Sequence, residues 1–595
     1  MKIYKLEIKN FRGVRNGEIV FGEHPVLIGA NNTGKTTVIE ALTLLLGRDK
    51  LIRDLTEHDF FGSTPQPADR IKLIATIIDF PGNDLDQNDH WFRDGRAIPK
   101  WLDLTNGDIH STPDNEEWKL CCQIAAQAYF DYTSMSVEFL RYFHDHSDPI
   151  DPFVNDSQTV VPSQLIRELG FFLIRTNRTW DKILSWGSEL FRRTINTTAA
   201  QPFESILAER DRLRNPELAI DQDPNISPLI NNVNAEIGRC IPSSPSLKLR
   251  LTNTDSKSVM DVVSAHFSTE DGLCIPSARQ GSGLISLQGL LLLLELGRVR
   301  TESGEEFTMA LEEPELHLPP STQQQIVHRL QSLSSQTFVT THSPTIASMA
   351  DPTSVILLRN IGGELKSEQL LKKPLNSNSP NWMRKFFQQS RAEVISALMH
   401  PFVLIPEGKT EYYLLNIIIR PLLINEGWIT TMKKPFNLNV GIVPTEDAKV
   451  VETYEILKDI HQGVCCLVDG DVDGQRYAKS VLASNPRPNS ILSWQQGAMI
   501  EDTIGWILKA SPEVILASLN ELSGEKFDSI DEVIIHLKAK KMDLIFYEHV
   551  ADVIANNEDC RKHASNLFSS IAHACNNEVN DHFLQDESGI WVFKQ

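Results

Sequence analysis

The chain has 595 residues, a formal net charge of −21 and 41% hydrophobic residues. That length accommodates two to four domains, and the composition is that of an ordinary soluble globular protein. A chain this acidic is not a general polyanion binder, so nucleic acid would need a local basic groove or bridging metal ions.

Apolar runs fall short of the roughly 20 residues that span a bilayer, so no membrane partner is expected. The opening Met1-Lys2-Ile3-Tyr4-Lys5-Leu6-Glu7-Ile8 alternates polar and apolar residues, which predicts a strand rather than a signal peptide. The eight cysteines include adjacent pairs at 121–122 and 465–466 but no Cys-x-x-Cys, which argues against a zinc ribbon or a disulfide framework. A reduced, cytoplasmic setting is the expectation.

The apolar run Val26-Leu27-Ile28 leads into Gly29-Ala30-Asn31-Asn32-Thr33-Gly34-Lys35-Thr36, and an apolar-periodic stretch starts at Val38. Strand, glycine-rich loop and helix in that order predict a phosphate-binding P-loop for ATP or GTP. Backbone N–H groups of such a loop wrap phosphate oxygens at a helix N-terminus. Lys35 is expected to reach the β- and γ-phosphates and the Thr36 hydroxyl to hold Mg²⁺. Gly29, Asn31, Asn32, Gly34 and Thr37 complete the cradle.

The other nucleotide signals lie far downstream, which predicts an insertion. A strand is expected at 171–175, then helices at 181–194, 200–214 and 228–240, interrupted at Pro216 and at Asp221-Gln222-Asp223-Pro224. No long heptad run occurs, so a compact helical hairpin is predicted, either as a dimer contact or as decoration of the head. Gly281-Ser282-Gly283 opens a Leu-rich helix at 285–296, placing small residues where a phosphate can approach. The strand Phe307-Thr308-Met309-Ala310-Leu311 ends in Glu312-Glu313. Glu312 can hold Mg²⁺ through water, and Glu313 can polarise the attacking water. The next strand, 337–341, runs into His342, a candidate γ-phosphate sensor.

After a linker-like stretch at 374–380, the strand 402–405 leads to Glu407-Gly408-Lys409-Thr410-Glu411, with a helix expected from Tyr412. The strand Val464-Cys465-Cys466-Leu467-Val468 ends in Asp469-Gly470-Asp471-Val472-Asp473-Gly474. If these strands are parallel neighbours, Glu407 comes within reach of the aspartates. Such a cluster needs cations, because like charges a few ångströms apart repel. Two hard ions such as Mg²⁺ could clamp a phosphodiester there. An EF-hand also opens Asp-x-Asp-x-Asp-Gly, but Ser480 stands where that loop needs Glu. Another strand at 491–494 leads to Glu501 and Asp502, and Lys538, Lys540 and Lys541 precede an amphipathic helix at 544–554.

The head motifs resemble those of ABC-type ATPases, in particular the SMC-like branch. Residues 29–36 match Walker A, 281–283 a reduced signature, 311–315 Walker B, 316–320 the D-loop and His342 the switch histidine. Asn10-Phe11-Arg12-Gly13 is similar to the opening of that branch. Glu312 stands where Asp is commoner, and no convincing Q-loop glutamine occurs between 50 and 85. The resemblance implies two heads sandwiching nucleotide, with Ser282 and Gly283 of one facing the P-loop of the other.

The motifs at 407–411 and 469–473 resemble the TOPRIM domain of topoisomerases, primases and certain nucleases. An SMC-like ATPase followed by TOPRIM resembles the OLD (overcoming lysogenization defect) nucleases, a layout shared with the Gabija nuclease subunit and retron-associated effectors. The resemblance implies an α/β chain with an ABC-type P-loop ATPase head at 1–178 and 246–395. A helical dimerisation segment at 179–245 would be inserted in it, and a TOPRIM nuclease domain would occupy 396–595. The catalytic residues would be Glu313, His342, Glu407, Asp469 and Lys541. Metal ligands would be Thr36 and Glu312 in the head, and Glu407, Glu411, Asp469, Asp471, Asp473 and Glu501 in TOPRIM. ATP and Mg²⁺ are implied, with Mn²⁺ or Ca²⁺ as alternatives at the TOPRIM site. Implied partners are DNA, further copies of the chain in a homodimer or higher even oligomer, and an accessory defence protein or a retron RNA–DNA. The implied activity is that of an ATP-binding and ATP-hydrolysing, metal-dependent DNA endonuclease of antiphage defence. An ATP-driven DNA clamp or scaffold without cleavage, or a topoisomerase or primase, are the rival readings.

Overall fold

The computed structural model describes residues 1–48, 54–93, 96–154, 160–175, 191–192, 194–195, 203–241, 245–268, 272–316, 318–423 and 435–595. The predicted helix at 181–194 lies almost wholly outside the described residues, as does His317. The chain divides into two compact units. One comprises Ile3–Leu45, Arg53–Val160 and Phe338–Gln595; the other comprises Met1–Lys2, Leu46–Ile52 and Val161–Thr337.

The first unit begins with β1 (Lys2–Phe11), β2 (Val14–Val20), β3 (Val26–Ile28), α1 (Lys35–Leu46), β4 (Ile71–Ile78), β5 (Lys119–Asp131) and β6 (Ser136–His144). The second unit carries β7 (Phe171–Ile174), α2 (Phe203–Arg214), α3 (Ser227–Cys240), α4 (Ser282–Glu302), β8 (Thr308–Glu312) and α5 (Pro320–Leu333). The chain then enters β9 (Gln336–Thr340) and continues the first unit with β10 (Val355–Ile361) and β11 (Glu364–Gln369).

In the first unit the strands run β5-β4-β1-β2-β11-β10-β3-β9, with β6 paired to β5. β3 lies between β10 and β9 and is parallel to both, with Val26 opposite Val355 and Val339. All three residues of β3 are buried, as a strand covered on both faces requires. The expected opening strand forms as β1, burying Ile3, Leu6, Ile8 and Phe11, and pairs antiparallel with β2.

In the second unit β7 and β8 are parallel, with Phe171 opposite Thr308 and Ile174 opposite Leu311. α4 packs on α5. By length and composition α4 is apolar enough to cross a membrane, contrary to the expectation from apolar runs; about half of its most apolar stretch is buried in the protein. Arg298 ion-pairs with Glu295 and Glu302, and buried Arg300 donates to the Glu306 carbonyl at 2.9 Å, which fits a core helix. α2 and α3 are largely uncovered: Ile230 is the one buried residue of α3, while Leu207 and Leu229 are exposed.

Further elements of the first unit include β12 (Phe402–Pro406), α6 (Lys409–Leu422), β13 (Val440–Ile442), α7 (Val450–Ile460), β14 (Val464–Val468), α8 (Val472–Leu482) and β15 (Ser490–Ser493). After them come α9 (Ile500–Leu508), α10 (Ile530–Ala539), α11 (Leu544–Asn556), α12 (Glu558–Cys575), β16 (Phe583–Gln585) and β17 (Trp591–Phe593). Their sheet runs β13-β12-β14-β15-β17-β16 and is parallel except for the β16–β17 hairpin. Leu404, Leu467 and Leu492 from the strands share one core with Ile504, Tyr547 and Phe568 from the helices. Strands buried on both faces explain the continuous apolar runs at 403–405 and 464–468.

Candidate functional site

The P-loop follows directly from buried β3. Gly29 has φ +147°, and a Cβ there would stand 2.5 Å from the Leu358 carbonyl, so this entry to the loop accepts only glycine. Lys35 Nζ donates to the carbonyls of Gly29 and Ala30, both at 2.8 Å, which gathers the lysine over the loop. Asn31, Asn32 and Thr36 are exposed, Gly34 is half-buried with φ +99°, and Thr37 is buried. α1 starts at Lys35, so its N-terminus, the end that favours an anion, lies at the loop. His342 is exposed just past the end of β9.

In the second unit Glu312 closes β8 and is 4% exposed. Glu313 takes φ +45°, a left-handed conformation that a non-glycine residue adopts at a cost of about 1–3 kcal/mol. Backbone strain at the second of two strand-end carboxylates is a common mark of a functional turn. Gly281 caps α4, with Ser282 exposed at its first position and Gly283 next.

The C-terminal carboxylates meet at the switch point of their sheet. β13 lies on one side of β12 and β14 on the other, and crevices at such points are where open α/β sheets bind ligands. Val403 pairs with Val464, so Glu407 and Asp469 leave the carboxyl ends of adjacent parallel strands. The Asp469 N–H donates to Glu407 Oε2 at 2.8 Å. α6 starts at Lys409 rather than Tyr412, which puts Glu411 in its first turn and buries it. Glu501 sits in the first turn of α9 and is 1% exposed.

Three of these carboxylates, Glu407, Glu411 and Asp469, have raised proton affinity. Burial first, then the charges of Glu411, Glu407, Glu501 and Asp471, push Asp469 up to about 8. Burial first, with Glu501 and Glu407 adding to it, pushes Glu411 up to about 7. Burial also raises Glu407. Asp469 Oδ1 and Glu501 Oε2 are buried with no hydrogen-bond partner among the described residues. Orphaned carboxylate oxygens in an acidic crevice fit a hard divalent cation, which would restore both charge balance and coordination. Among the described residues no three or more His, Cys, Asp or Glu side chains are grouped so that they could hold a metal ion as they stand.

Asp471 caps α8, accepting from the Gly474 N–H at 2.8 Å. A helix starting at Val472 leaves no room for a twelve-residue EF-hand loop. Asp473 is exposed in that first turn and pairs with Arg476 at 3.0 Å, apart from the buried set. Gly470 has no room for a side chain: a Cβ would lie 1.8 Å from the Gln495 carbonyl. Its N–H donates to the Ala498 carbonyl at 2.9 Å, and it accepts from the Gly497 N–H at 2.8 Å. These bonds tie the aspartate turn to the loop that carries Glu501. A cavity of about 400 Å³ opens beside Gly470, lined in part by Gln475, Lys479, Trp494 and Gln496.

Three neighbouring lysines have separate assignments. Lys538 holds Asp502 at 2.7 Å and Lys540 holds Glu525 at 2.8 Å. Lys541 forms no ion pair among the described residues, is exposed, and its charge lowers the proton affinity of both Glu407 and Glu411. Sequence reasoning missed Asp447, which accepts from the Lys409 N–H at 3.0 Å and so caps the motif-bearing helix α6. The signal was present: Glu446-Asp447 follows the short strand β13, an acidic pair past a strand end.

A P-loop on a buried strand flanked by parallel neighbours is the hallmark of the P-loop fold. Residues 1–124 and 177–347 match the family described as AAA ATPase domain, so the chain carries an ATP-binding, ATP-hydrolysing domain of that type followed by a parallel α/β sheet domain. The chain is also similar to three solved SMC heads. The SMC head bound to the C-winged helix domain of ScpA shares 13% identity at TM-score 0.32, covering 62% of this chain and 99% of that one. The SMC head domain from Thermotoga maritima shares 13% at TM-score 0.26, covering 63% and 100%. The Smc head with an extended coiled coil, bound to the C-terminal domain of ScpA and derived from Pyrococcus furiosus, shares 15% at TM-score 0.31, covering 62% and 97%. No curated protein matches the chain in sequence.

Proposed function

We propose that this ATPase is a divalent-metal-dependent DNA endonuclease of the OLD layout, with a TOPRIM site at 396–595. It would act as a homodimer in the cytoplasm, in antiphage defence. The observation that carries the nuclease reading is the cluster of buried Glu411, Asp469 and Glu501 with half-buried Glu407, in which two carboxylate oxygens have no hydrogen-bond partner among the described residues. Buried acids have no structural advantage over apolar residues, since each charge costs several kcal/mol without compensation. A catalytic cation site gives them a purpose.

Glu407, Glu411, Asp469 and Glu501 would hold Mg²⁺ or Mn²⁺, with Asp471 at the rim. When bound, such ions supply Lewis-acid stabilisation of a phosphodiester and a nucleophilic water at neutral pH. The chain's own groups do the rest. Lys541 sits where it can neutralise a phosphate oxygen as negative charge builds. The cavity beside Gly470 offers Gln475, Lys479 and Gln496 to the neighbouring part of the strand. The ATPase domain supplies the gate: Lys35 and Thr36 engage the nucleotide, and Glu313 drives its hydrolysis. Exposed leucines on α2 and α3 support a contact between copies.

The test is nicking of supercoiled plasmid by purified protein, with Mg²⁺, with Mn²⁺ and with a chelator, each with and without ATP. Metal-dependent nicking is expected. DNA retention without cleavage under every condition would favour an ATP-driven clamp.

A further inference from the structure

Lys541 projects from a turn whose shape is forced. Met542, the next residue, takes φ +68°, a left-handed conformation that side chains disfavour. Something must hold it there. The Met542 N–H donates to the hydroxyl of Tyr547 at 3.0 Å. Tyr547 lies in the first turns of α11 and is fully buried, so its ring cannot swing away. The turn is closed from the other side by the Asp543 side chain, which caps α11 by accepting from the Phe546 N–H at 3.1 Å.

The same hydroxyl faces the acidic cluster. Tyr547 interacts with the side chain of Thr410, the residue before Glu411, and lies within the field of Glu501 and Glu411. α6 and α11 pack along each other, which keeps Thr410 and Tyr547 in register. One phenol thus spans two segments: the Glu407–Glu411 motif with its carboxylates, and the 540–543 turn with its cation.

We infer that Tyr547 is a positioning residue that clamps the left-handed Met542 turn and so presents Lys541 to the substrate phosphate over the carboxylate cluster. The inference rests on the nuclease reading for its consequence, but the clamp can be read without cleavage. Phenylalanine at 547 keeps the buried ring and removes only the hydroxyl. The freed Met542 N–H then has no reason to stay inward, and Lys541 loses its aim. A charge misplaced by an ångström costs about 10- to 100-fold in rate.

The experiment is a double-mutant cycle between Tyr547→Phe and Lys541→Ala, with hydrogen exchange at the Met542 amide measured alongside. Tyr547→Phe should lower kcat about 10- to 100-fold with little change in KM for DNA, yet cost nothing further in the Lys541→Ala background. Met542→Gly added to Tyr547→Phe should recover part of the rate, because glycine adopts the left-handed conformation without strain. The Met542 amide should exchange about tenfold faster in Tyr547→Phe, with the α11 core amides unchanged. Equal losses with and without Lys541, or no loss at all, would overturn the inference. If the wild-type chain cleaves nothing, the nuclease reading falls, and the clamp is judged by exchange alone: an unprotected Met542 amide in the wild type would then refute it.

Discussion

Glu407 and Asp469 are joined through the main chain: the Asp469 N–H donates to Glu407 Oε2 at 2.8 Å across two adjacent parallel strands. One carboxylate therefore shapes the turn that presents the other. Their coupling runs through backbone, so replacing either residue disturbs both.

Glu407→Ala and Asp469→Ala should each reduce DNA cleavage at least about 100-fold, since even outer partners of a metal cost 10- to 100-fold. ATP hydrolysis should persist, because the P-loop and Walker B residues are untouched. Mg²⁺ should raise the melting temperature of the wild-type chain, with a stabilisation of about 2.7 kcal/mol at a hundredfold excess over Kd. Asp469→Ala should lose that shift. Cleavage, ATPase and thermal melts on the same preparations decide the matter; full cleavage by Asp469→Ala would refute the site.

Lys35→Ala should abolish nucleotide binding. The side chain expected to meet the phosphates is lost, and the carbonyls of Gly29 and Ala30 lose their donor. Glu313→Gln should keep binding and stall turnover, trapping ATP between two copies. Fluorescent-nucleotide titration and phosphate release separate the two outcomes. Normal turnover by Glu313→Gln would reassign the catalytic base.

The protein should be a dimer or an even multiple of one. Leu207 at 40% and Leu229 at 65% exposure stand on helices that bury little within the chain, and uncovered apolar surface of that kind marks a contact. Light scattering with and without ATP provides the check. Leu229→Glu should weaken association. A strictly monomeric wild-type species under both conditions would exclude the sandwich arrangement.

His461 makes the C-terminal sheet acid-sensitive. It is 3% exposed; its Nδ1 accepts from the Gly463 N–H and its Nε2–H donates to the His400 carbonyl, both at 3.0 Å. Burial first, then the Arg359 charge, lowers its pKa from 6.5 to about 3. Between those values the unfolded chain binds a proton that the folded chain refuses. Stability from this residue is therefore complete above pH 6.5 and is lost as pH falls toward 3, with a slope of at most about 1.4 kcal/mol per pH unit. His144, lowered to about 4 mainly by burial, acts in the same direction. Urea midpoints at pH 7 and pH 4.5 test this, and His461→Gln should flatten the difference. An unchanged slope in that variant would remove His461 as a cause.

Local patterns sufficed for much of the architecture. The P-loop, β8 with its terminal glutamates, β12 and β14 were legible because an apolar run ending in a fixed polar motif has few other uses. Helices α2 and α3 likewise followed from local spacing. Boundaries were less legible: α6 begins three residues earlier than its apolar pattern, because Asp447, far along the chain, caps it. The bilayer-length character of α4 was missed because its charges interrupt the apolar run without breaking the helix.

The sequence by itself determined which chemical groups stand at strand ends, since the side-chain order in a motif is local information. Only the tertiary structure decided which of them share an environment. Strand order brought Glu407 against Asp469, and burial selected Glu411 and Glu501 while Asp473, two residues past Asp471, turned to solvent and Arg476. Ion pairing withdrew Lys538 and Lys540 and left Lys541, and a tyrosine invisible to any motif came to brace it. Desolvation and charge coupling depend on neighbours supplied from across the fold, so no local pattern encodes them.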